Sequence, residues 1–387
     1  MPANRQSAFE QGPIRPPSEA SSLLIRVTRN CPWNKCTFCS TYRNKEFSRR
    51  PPAEVKQDIQ TARDMADEIQ ALSTKMGNLG RVTPEVVNYI YQNGRLYNDQ
   101  FLSLAAWLFY GGEHVFLQDA NSLVLPTDQL VDILNFLKEK FPDVNRITSY
   151  ARSKTIAKSK PTSDLIRLRE AGLTRLHLGL ETGDDDLLKY VAKGVTAAEH
   201  VEAGQRVVAS GIELSEYVVL GLGGRRWWRE HALNTARALN QINPHFIRFR
   251  SLKLLKGMEL TERMRAGEFE APTEDEMIRE ERLLIENLAG ITSQVVSDHV
   301  LNLLMEVEGQ LPQDQQKILD LIDHYLNLSD NDRRHFRLGK RAGIYNTMED
   351  MTDNSLRHKV AGLMAQVSAQ GPEVVDDFIS RLRERFL

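Results

Sequence analysis

Cys31, Cys36 and Cys39 are the only cysteines in 387 residues, and all three fall within nine positions. They stand in Asn30-Cys31-Pro32-Trp33-Asn34-Lys35-Cys36-Thr37-Phe38-Cys39, a polar loop entered from the apolar run Leu23-Leu24-Ile25-Arg26-Val27. Three thiolates on one loop can hold three irons of a [4Fe–4S] cube and leave the fourth iron open for chemistry. Zinc would ordinarily ask for a fourth ligand, and the chain has no other Cys, the closest His being His114. A disulfide would leave one thiol over. Three cysteines packed as small hydrophobes are a further reading.

The elements that must position these groups follow from periodicity. After the cysteine loop, apolar residues at Val55, Ile59, Ala62, Met65, Ala66 and Ile69 predict a helix from Pro52 to about Met76. A polar segment and a helix near Gln100–Tyr110 come next. The pattern then alternates: strand His114–Leu117, helix Thr127–Lys140, strand Arg146–Ala151, helix Ser163–Ala171, strand Arg175–Leu180, helices Asp184–Ala192 and Ala197–Ser210, strand Glu213–Leu220, helix Glu230–Ile242 and strand Phe246–Leu252. Gly172 and Gly211 suit helix C-caps. Six such units over about 23–288 predict an α/β fold with a parallel sheet, an open, partial (βα)6 barrel. From Val300 the pattern predicts helices without a strand, at Val300–Val307, Gln313–Leu326, Asn354–Val367 and, opened by Gly371-Pro372, at Pro372–Phe386. The expected organisation is an N-terminal extension (1–20), a core (21–292) with an insertion at about 77–110, and a helical accessory region (293–387).

Ligand groups in parallel sheets gather at the carboxyl ends of strands. That rule selects Asp119 in Gln118-Asp119-Ala120-Asn121-Ser122, Ser149 and Arg152 after the next strand, and Glu181 in Leu180-Glu181-Thr182-Gly183. Gly111-Gly112-Glu113 precedes its strand and reads as a turn. Glu216 and Tyr217 are adjacent on one strand, so alternation lets one of them face inward. Arg248 and Arg250 share a strand face and would bind an acidic substrate if it is the inner one.

On the cysteine loop, this strand–helix alternation and these strand ends, the chain resembles the radical S-adenosylmethionine (SAM) superfamily over about Ser21–Leu260. Within it, the chain resembles the Fe–S oxidoreductases related to oxygen-independent coproporphyrinogen dehydrogenases. The resemblance implies that Cys31, Cys36 and Cys39 hold a [4Fe–4S] cluster whose open iron chelates SAM. It implies reductive cleavage of SAM to methionine and a 5′-deoxyadenosyl radical that takes hydrogen from a substrate, with an electron donor such as flavodoxin or ferredoxin. Phe38 would lie against adenine, or simply pack under the loop. Asp119 would take the place of the family's Gly-Gly-Glu acid, Glu181 would contact SAM, Glu216 would reach the ribose hydroxyls, and Lys193 would face the SAM carboxylate, with Arg152 its competitor. A chelated carboxylate in a closed site needs such a cation; the alternative for Arg152, Glu181 and Lys193 is a surface ion pair. The family's usual spacing is three residues then two, whereas here four separate Cys31 from Cys36 and two separate Cys36 from Cys39. Gly221-Leu222-Gly223-Gly224 lacks the dinucleotide spacing and reads as close backbone approach to adenine or a tight turn.

A radical enzyme must exclude water, so the open barrel needs a cover. The 77–110 insertion and the chain after Ile291 are available for it. His299, Arg337, Lys340 and Arg341, with Arg248 and Arg250, would make that cover cationic and suit an anionic substrate; the alternative is helices that bury an exposed edge. Trp227 and Trp228 beside Arg225, Arg226 and Arg229 either cap the barrel mouth or pack on the surface.

Composition agrees with an enzyme: 41% hydrophobic, 26% charged, net charge −2, and no electrostatic footprint for nucleic acid. No run reaches membrane-spanning length, and Met1–Gln6 lacks a signal-peptide core. A cluster belongs in a reducing compartment, so a cytoplasmic location is expected. No cysteine remains for a second cluster, and the short stretch before the first strand leaves no room for a cobalamin-binding domain. The expected function is a radical SAM enzyme with an unidentified substrate and no assigned catalytic residue. A silent haem-binding or chaperone-type relative and a simple Fe–S electron-transfer protein are the alternatives.

Overall fold

Two periodicities alternate along the chain, and the computed structural model, which describes residues 8–369 and 373–385, shows the elements they build. The strands are β1 (Leu23–Arg26), β2 (Thr28–Arg29), β3 (Ser48–Arg49), β4 (His114–Gln118), β5 (Arg146–Ala151), β6 (Leu173–Glu181), β7 (Glu213–Leu220), β8 (Phe246–Ser251), β9 (Gln294–Val296) and β10 (Gly309–Gln310). The helices are α1 (Pro52–Lys75), α2 (Pro84–Gln92), α3 (Asp99–Phe109), α4 (Thr127–Lys140), α5 (Ser153–Ser159), α6 (Thr162–Glu170), α7 (Asp185–Tyr190), α8 (Ala197–Ser210), α9 (Gly224–Ile242), α10 (Glu259–Arg265), α11 (Glu274–Glu286), α12 (Gln315–Leu326), α13 (Asp330–Arg341), α14 (Asn354–Ser368) and α15 (Glu373–Glu384). The expected α/β class and the six long strands are present. The chain forms two units, Met1–Gly179 with Glu202–Leu214, and Leu180–Val201 with Ser215–Leu387.

In the first unit β1, β4, β5 and β6 pair in that order, all parallel, with Leu24 opposite Phe116, Leu117 opposite Ser149 and Tyr150 opposite His177. Helix α1 buries the expected stripe from Val55 to Ile69 and packs on α3, α4 and β1. The 77–110 stretch is not a loose insertion. Pro84 opens α2, Asn98 caps α3 through the amides of Gln100 and Phe101, and Val86, Ile90, Phe101, Leu104 and Trp107 are buried. Residues before β1 are tied down as well. The Gln118 side chain bonds Gly12 N, Gly12 O and Ile14 O, while Gln100 bonds the backbone of Phe9 at N and O.

In the second unit β7, β8 and β9 run parallel, and β10 pairs antiparallel with β9. Strands β9 and β10, in the region expected to be helical, and helix α13 depart from the expected pattern, as does 300–307, which is irregular rather than helical. There Leu301, Leu303, Leu304 and Val307 are buried, a spacing that imitates a helix face, but Asn302 binds the backbone of β8 and holds the segment open. One apolar core joins Val218, Leu220, Ile247 and Phe249 of the strands to Ile322, Tyr325, Phe336, Tyr345 and Ile379 of the later helices. No break in this core falls near 290–300, where the composition changes. The expected opening of the last helix at Gly371 and Pro372, its end at Phe386 and the Met1–Gln6 terminus lie outside the described residues. Among the described residues, no helix is long and apolar enough to cross a membrane.

Candidate functional site

The cysteine loop begins where β1 and the short β2 end, and its shape is set by asparagines. Asn30 and Asn34 have positive φ, 67° and 51°, conformations that Asn tolerates better than most residues. Asn30 Nδ2 donates to Glu46 O at 2.5 Å and Asn34 Nδ2 to Tyr42 O at 2.5 Å, folding the chain after Cys39 back on the chain before it. The loop is pinned to the sheet by Asp119, which is fully buried. Its Oδ2 accepts from Asn30 N at 3.1 Å and Arg26 Nη2 at 2.7 Å, and its Oδ1 accepts from the Tyr42 hydroxyl. Asp119, selected as a SAM contact, is thus engaged on both oxygens by its own chain.

Cys31, Cys36 and Cys39 form no disulfide and are half-buried. Asn34 N lies 3.4 Å from Cys31 Sγ, and Cys39 Sγ lies 3.7 Å from Thr41 Oγ1. Among the described residues, no three His, Cys, Asp or Glu side chains are drawn together as a metal-ligand set. The donor set nevertheless fits a [4Fe–4S] cluster in kind: three reduced thiols on one clamped, partly exposed loop, with a guanidinium beside them. That guanidinium is Arg152, 5.1 Å over the Trp33 ring, which Lys35 also approaches at 5.2 Å. Burial pushes the Arg152 pKa down, while the Cys31 and Cys36 sulfurs oppose that shift, so the cation lies within electrostatic reach of both. Phe38 is half-buried in the same loop. Ser149 is buried, its hydroxyl 3.1 Å from Leu117 O and 2.8 Å from Ser122 Oγ, so it faces the sheet's own backbone.

The second unit holds Glu181, Lys193 and Glu216. Glu181 ends β6 with φ 61°, and Lys193 follows Ala192 at φ 52°. These turns bring Lys193 Nζ to 2.6 Å from Glu181 Oε1, with both side chains mostly buried, at 13% and 14% exposure. Glu216 is fully buried, with the Leu180 backbone, the Glu181 carboxylate and Lys193 as its polar surroundings. Burial first, then the Glu181 carboxylate, push its pKa well above the usual range, against the pull of Lys193. Alternation puts Glu216 on the strand face of Val218 and Leu220, which lie in the apolar core, and Tyr217 on that of Arg248 and Arg250.

The glycine run 221–224 serves packing. A Cβ on Gly221 would meet Met277 Sδ at 2.9 Å, and one on Gly224 would meet Glu270 O at 2.7 Å. The expected cationic cover is corrected by its pairing. Arg341 is buried against Glu274, Arg337 lies against Asp275 and Asp376, and Lys340 bonds Asn346 O. Burial, reinforced by Arg250, pushes His299 down to about 4, leaving it neutral at pH 7. These cations are matched because a buried charge must be compensated. Sequence reasoning missed Tyr42, Asn30 and Arg26 as loop anchors and Asp298 as the partner of Arg248 and Arg250; the Asn-rich loop was the available signal for the first group.

Residues 95–236 match the family model described as the Radical SAM superfamily. No curated protein matches the chain. Among solved structures, the archaeal Methanocaldococcus infernus Elp3 is 15% identical with a TM-score of 0.40, covering 55% of this chain and 53% of that one. Methylornithine synthase (PylB) is 15% identical with a TM-score of 0.42, covering 77% and 68%. The cobalamin-dependent S-adenosylmethionine radical enzyme OxsB is 11% identical with a TM-score of 0.46, covering 94% and 58%. The chain thus spans little more than half the length of the solved Elp3 chain, which carries an N-terminal deletion (1–46), and of the OxsB chain.

Proposed function

We infer that this chain, which carries a radical SAM domain at residues 95–236, is a radical SAM enzyme whose [4Fe–4S] cluster is held by Cys31, Cys36 and Cys39. The family's cofactors are that cluster and SAM; when bound, the cluster supplies the electron that cleaves SAM to methionine and a 5′-deoxyadenosyl radical. The observation that carries the cysteine assignment is the clamped loop itself: three thiols on one loop that Asp119 holds through residues before and after them, with Arg152 alongside.

The chain's own residues divide the work as follows. Asp119, Tyr42, Arg26 and Asn30 keep the loop in shape. Arg152 is the cation for the SAM carboxylate, because it lies with the cysteine sulfurs whereas Lys193 is already committed to Glu181. Phe38, in the cysteine loop, offers an apolar face to adenine, and Glu181 and Lys193 form an ion pair within the second unit. Glu216, on the core side of its strand, is not assigned to the ribose. The electron donor is a one-electron carrier of the flavodoxin or ferredoxin kind.

Anaerobic reconstitution followed by assay for 5′-deoxyadenosine tests this. About four irons and four sulfides per chain are expected, with reductant-dependent release of 5′-deoxyadenosine. Stoichiometric zinc without iron, or a full cluster retained after all three cysteines are changed to Ala, would sink the reading.

A further inference from the structure

Strand β8 carries two arginines on one face near its carboxyl end, and both turn to the same acid. Arg248 Nη1 lies 2.5 Å from Asp298 Oδ2, and Arg250 Nη1 lies 2.9 Å from Asp298 Oδ1. The arginine side chains are 7% and 15% exposed, whereas Asp298 is 32% exposed and is the open side of the cluster. Two cations therefore share one anion. Although burial would raise its pKa, Arg248 and Arg250 hold the Asp298 carboxyl below its usual range, so it is ionised. His299 adds no charge at neutral pH.

The donors are not all used. Arg248 Nε and Arg250 Nη2 are buried and have no hydrogen-bond partner among the described residues. One positive charge and two donor nitrogens are thus left without an acceptor among the described residues, an arrangement that costs free energy unless something completes it. The frame around them is rigid. Arg250 lies 4.7 Å over the Tyr217 ring and its Nη1 donates to Phe249 O at 2.8 Å. Asn302 fastens the Asp298 segment to β8: its Nδ2 donates to Phe249 O and Ser297 Oγ, and its Oδ1 accepts from Ser251 N. A preset pair of guanidinium forks matches a carboxylate or phosphate better than any neutral group, and the carboxyl ends of parallel strands are where substrates bind.

We propose that Arg248 and Arg250 form the binding site for an oxyanion of the substrate, a carboxylate or phosphate, and that Asp298 is the internal carboxylate holding their place until it enters. That the oxyanion belongs to a substrate rests on the radical SAM reading; the site itself does not. The two roles of the cluster pull in opposite directions under mutation. Removing an arginine removes donors, whereas Asp298→Asn removes the competing anion and keeps the shape.

Calorimetric titration of the reconstituted protein with inorganic phosphate, and separately with acetate, tests this and distinguishes the two oxyanions. Arg250→Gln and Arg248→Gln should each weaken binding of the preferred anion at least tenfold, while Asp298→Asn should tighten it several-fold. Should Arg250→Gln fail to fold, Arg250→Lys keeps the charge without the fork and should show a smaller loss. Equal weakening by Asp298→Asn and the arginine variants, or no anion binding at all, would overturn the site. Oxyanion binding by a wild-type protein that makes no 5′-deoxyadenosine would leave the site standing and overturn its assignment to a radical substrate.

Discussion

Tyr42 donates its hydroxyl to Asp119, 77 residues further along the chain, and so ties the end of the cysteine loop to the end of strand β4. The same carboxylate takes the Asn30 amide, immediately before Cys31. A residue that strand-end logic selects for a ligand is in fact the clamp of the loop that carries the thiols, because a fully buried carboxylate is satisfied first by the donors its own fold brings to it.

Asp119→Asn should therefore act on stability and on iron content together. It leaves Arg26, 13% exposed, facing a neutral amide with Glu10 as its remaining acid, so the cost should fall at the lower end of the about 3–5 kcal/mol for breaking a buried pair. Tyr42→Phe removes one donor to the same carboxylate and should cost about 1.5–3 kcal/mol. Urea unfolding gives the two values, and iron analysis after reconstitution should fall in the same order. Full iron loading in Asp119→Asn at wild-type stability would show that the clamp is dispensable.

Arg152 and Lys193 should separate in SAM binding. Arg152→Ala removes the cation beside Cys31 and Cys36 and should weaken SAM by about 2–5 kcal/mol, the range for truncating one partner of a desolvated pair. Lys193→Ala should weaken SAM less and lower the melting temperature more, because it leaves Glu181 and the buried Glu216 without their nearby cation. Calorimetry on cluster-loaded protein decides; the reverse order would return the SAM carboxylate to Lys193.

Two buried acids should shape the stability–pH profile. Burial, with Glu280 adding to it, pushes Glu281 up to about 8, and Glu216 moves in the same direction. A carboxyl whose folded pKa is raised keeps its proton while the unfolded chain loses one. Its contribution to stability therefore declines as pH rises from about 4.5, the ordinary value, to about 8, and is then level. Glu281→Gln should match wild type near pH 4 and exceed it by a few kcal/mol at pH 8. Denaturant midpoints across that range measure it, and parallel curves would refute it.

Truncation before Val300 should yield aggregated protein. Ile322, Tyr325, Phe336 and Tyr345 share one core with Val218, Leu220 and Phe249, so their loss bares the strands' apolar face. Gly339→Ala tests the same packing gently. Alanine favours a helix by about 1 kcal/mol, yet its Cβ would meet Tyr345 Cδ2 at 2.2 Å and Val360 Cγ2 at 2.9 Å. A net loss of about 1–3 kcal/mol is expected, read as a lower melting temperature; a gain would show that the core yields there.

The amino-acid sequence by itself determined the local and the periodic features: the three cysteines on one loop, the buried stripe of α1, the six long strands and the residues at their ends. These depend on spacing along the chain, which period and capping chemistry reveal. Tertiary structure decided who meets whom. Asn302, bound to β8, keeps 300–307 irregular despite its helical spacing; α13 forms from a segment whose buried face includes His335, Lys340 and Arg341, side chains that periodicity counts as polar. Asp119 became a clamp, Lys193 the partner of Glu181, and Asp298 the shared acid of Arg248 and Arg250. Each of these pairings joins residues that are far apart along the chain or leave an element at an unusual φ. Charge compensation in a buried environment acts through space, at distances that sequence position does not encode.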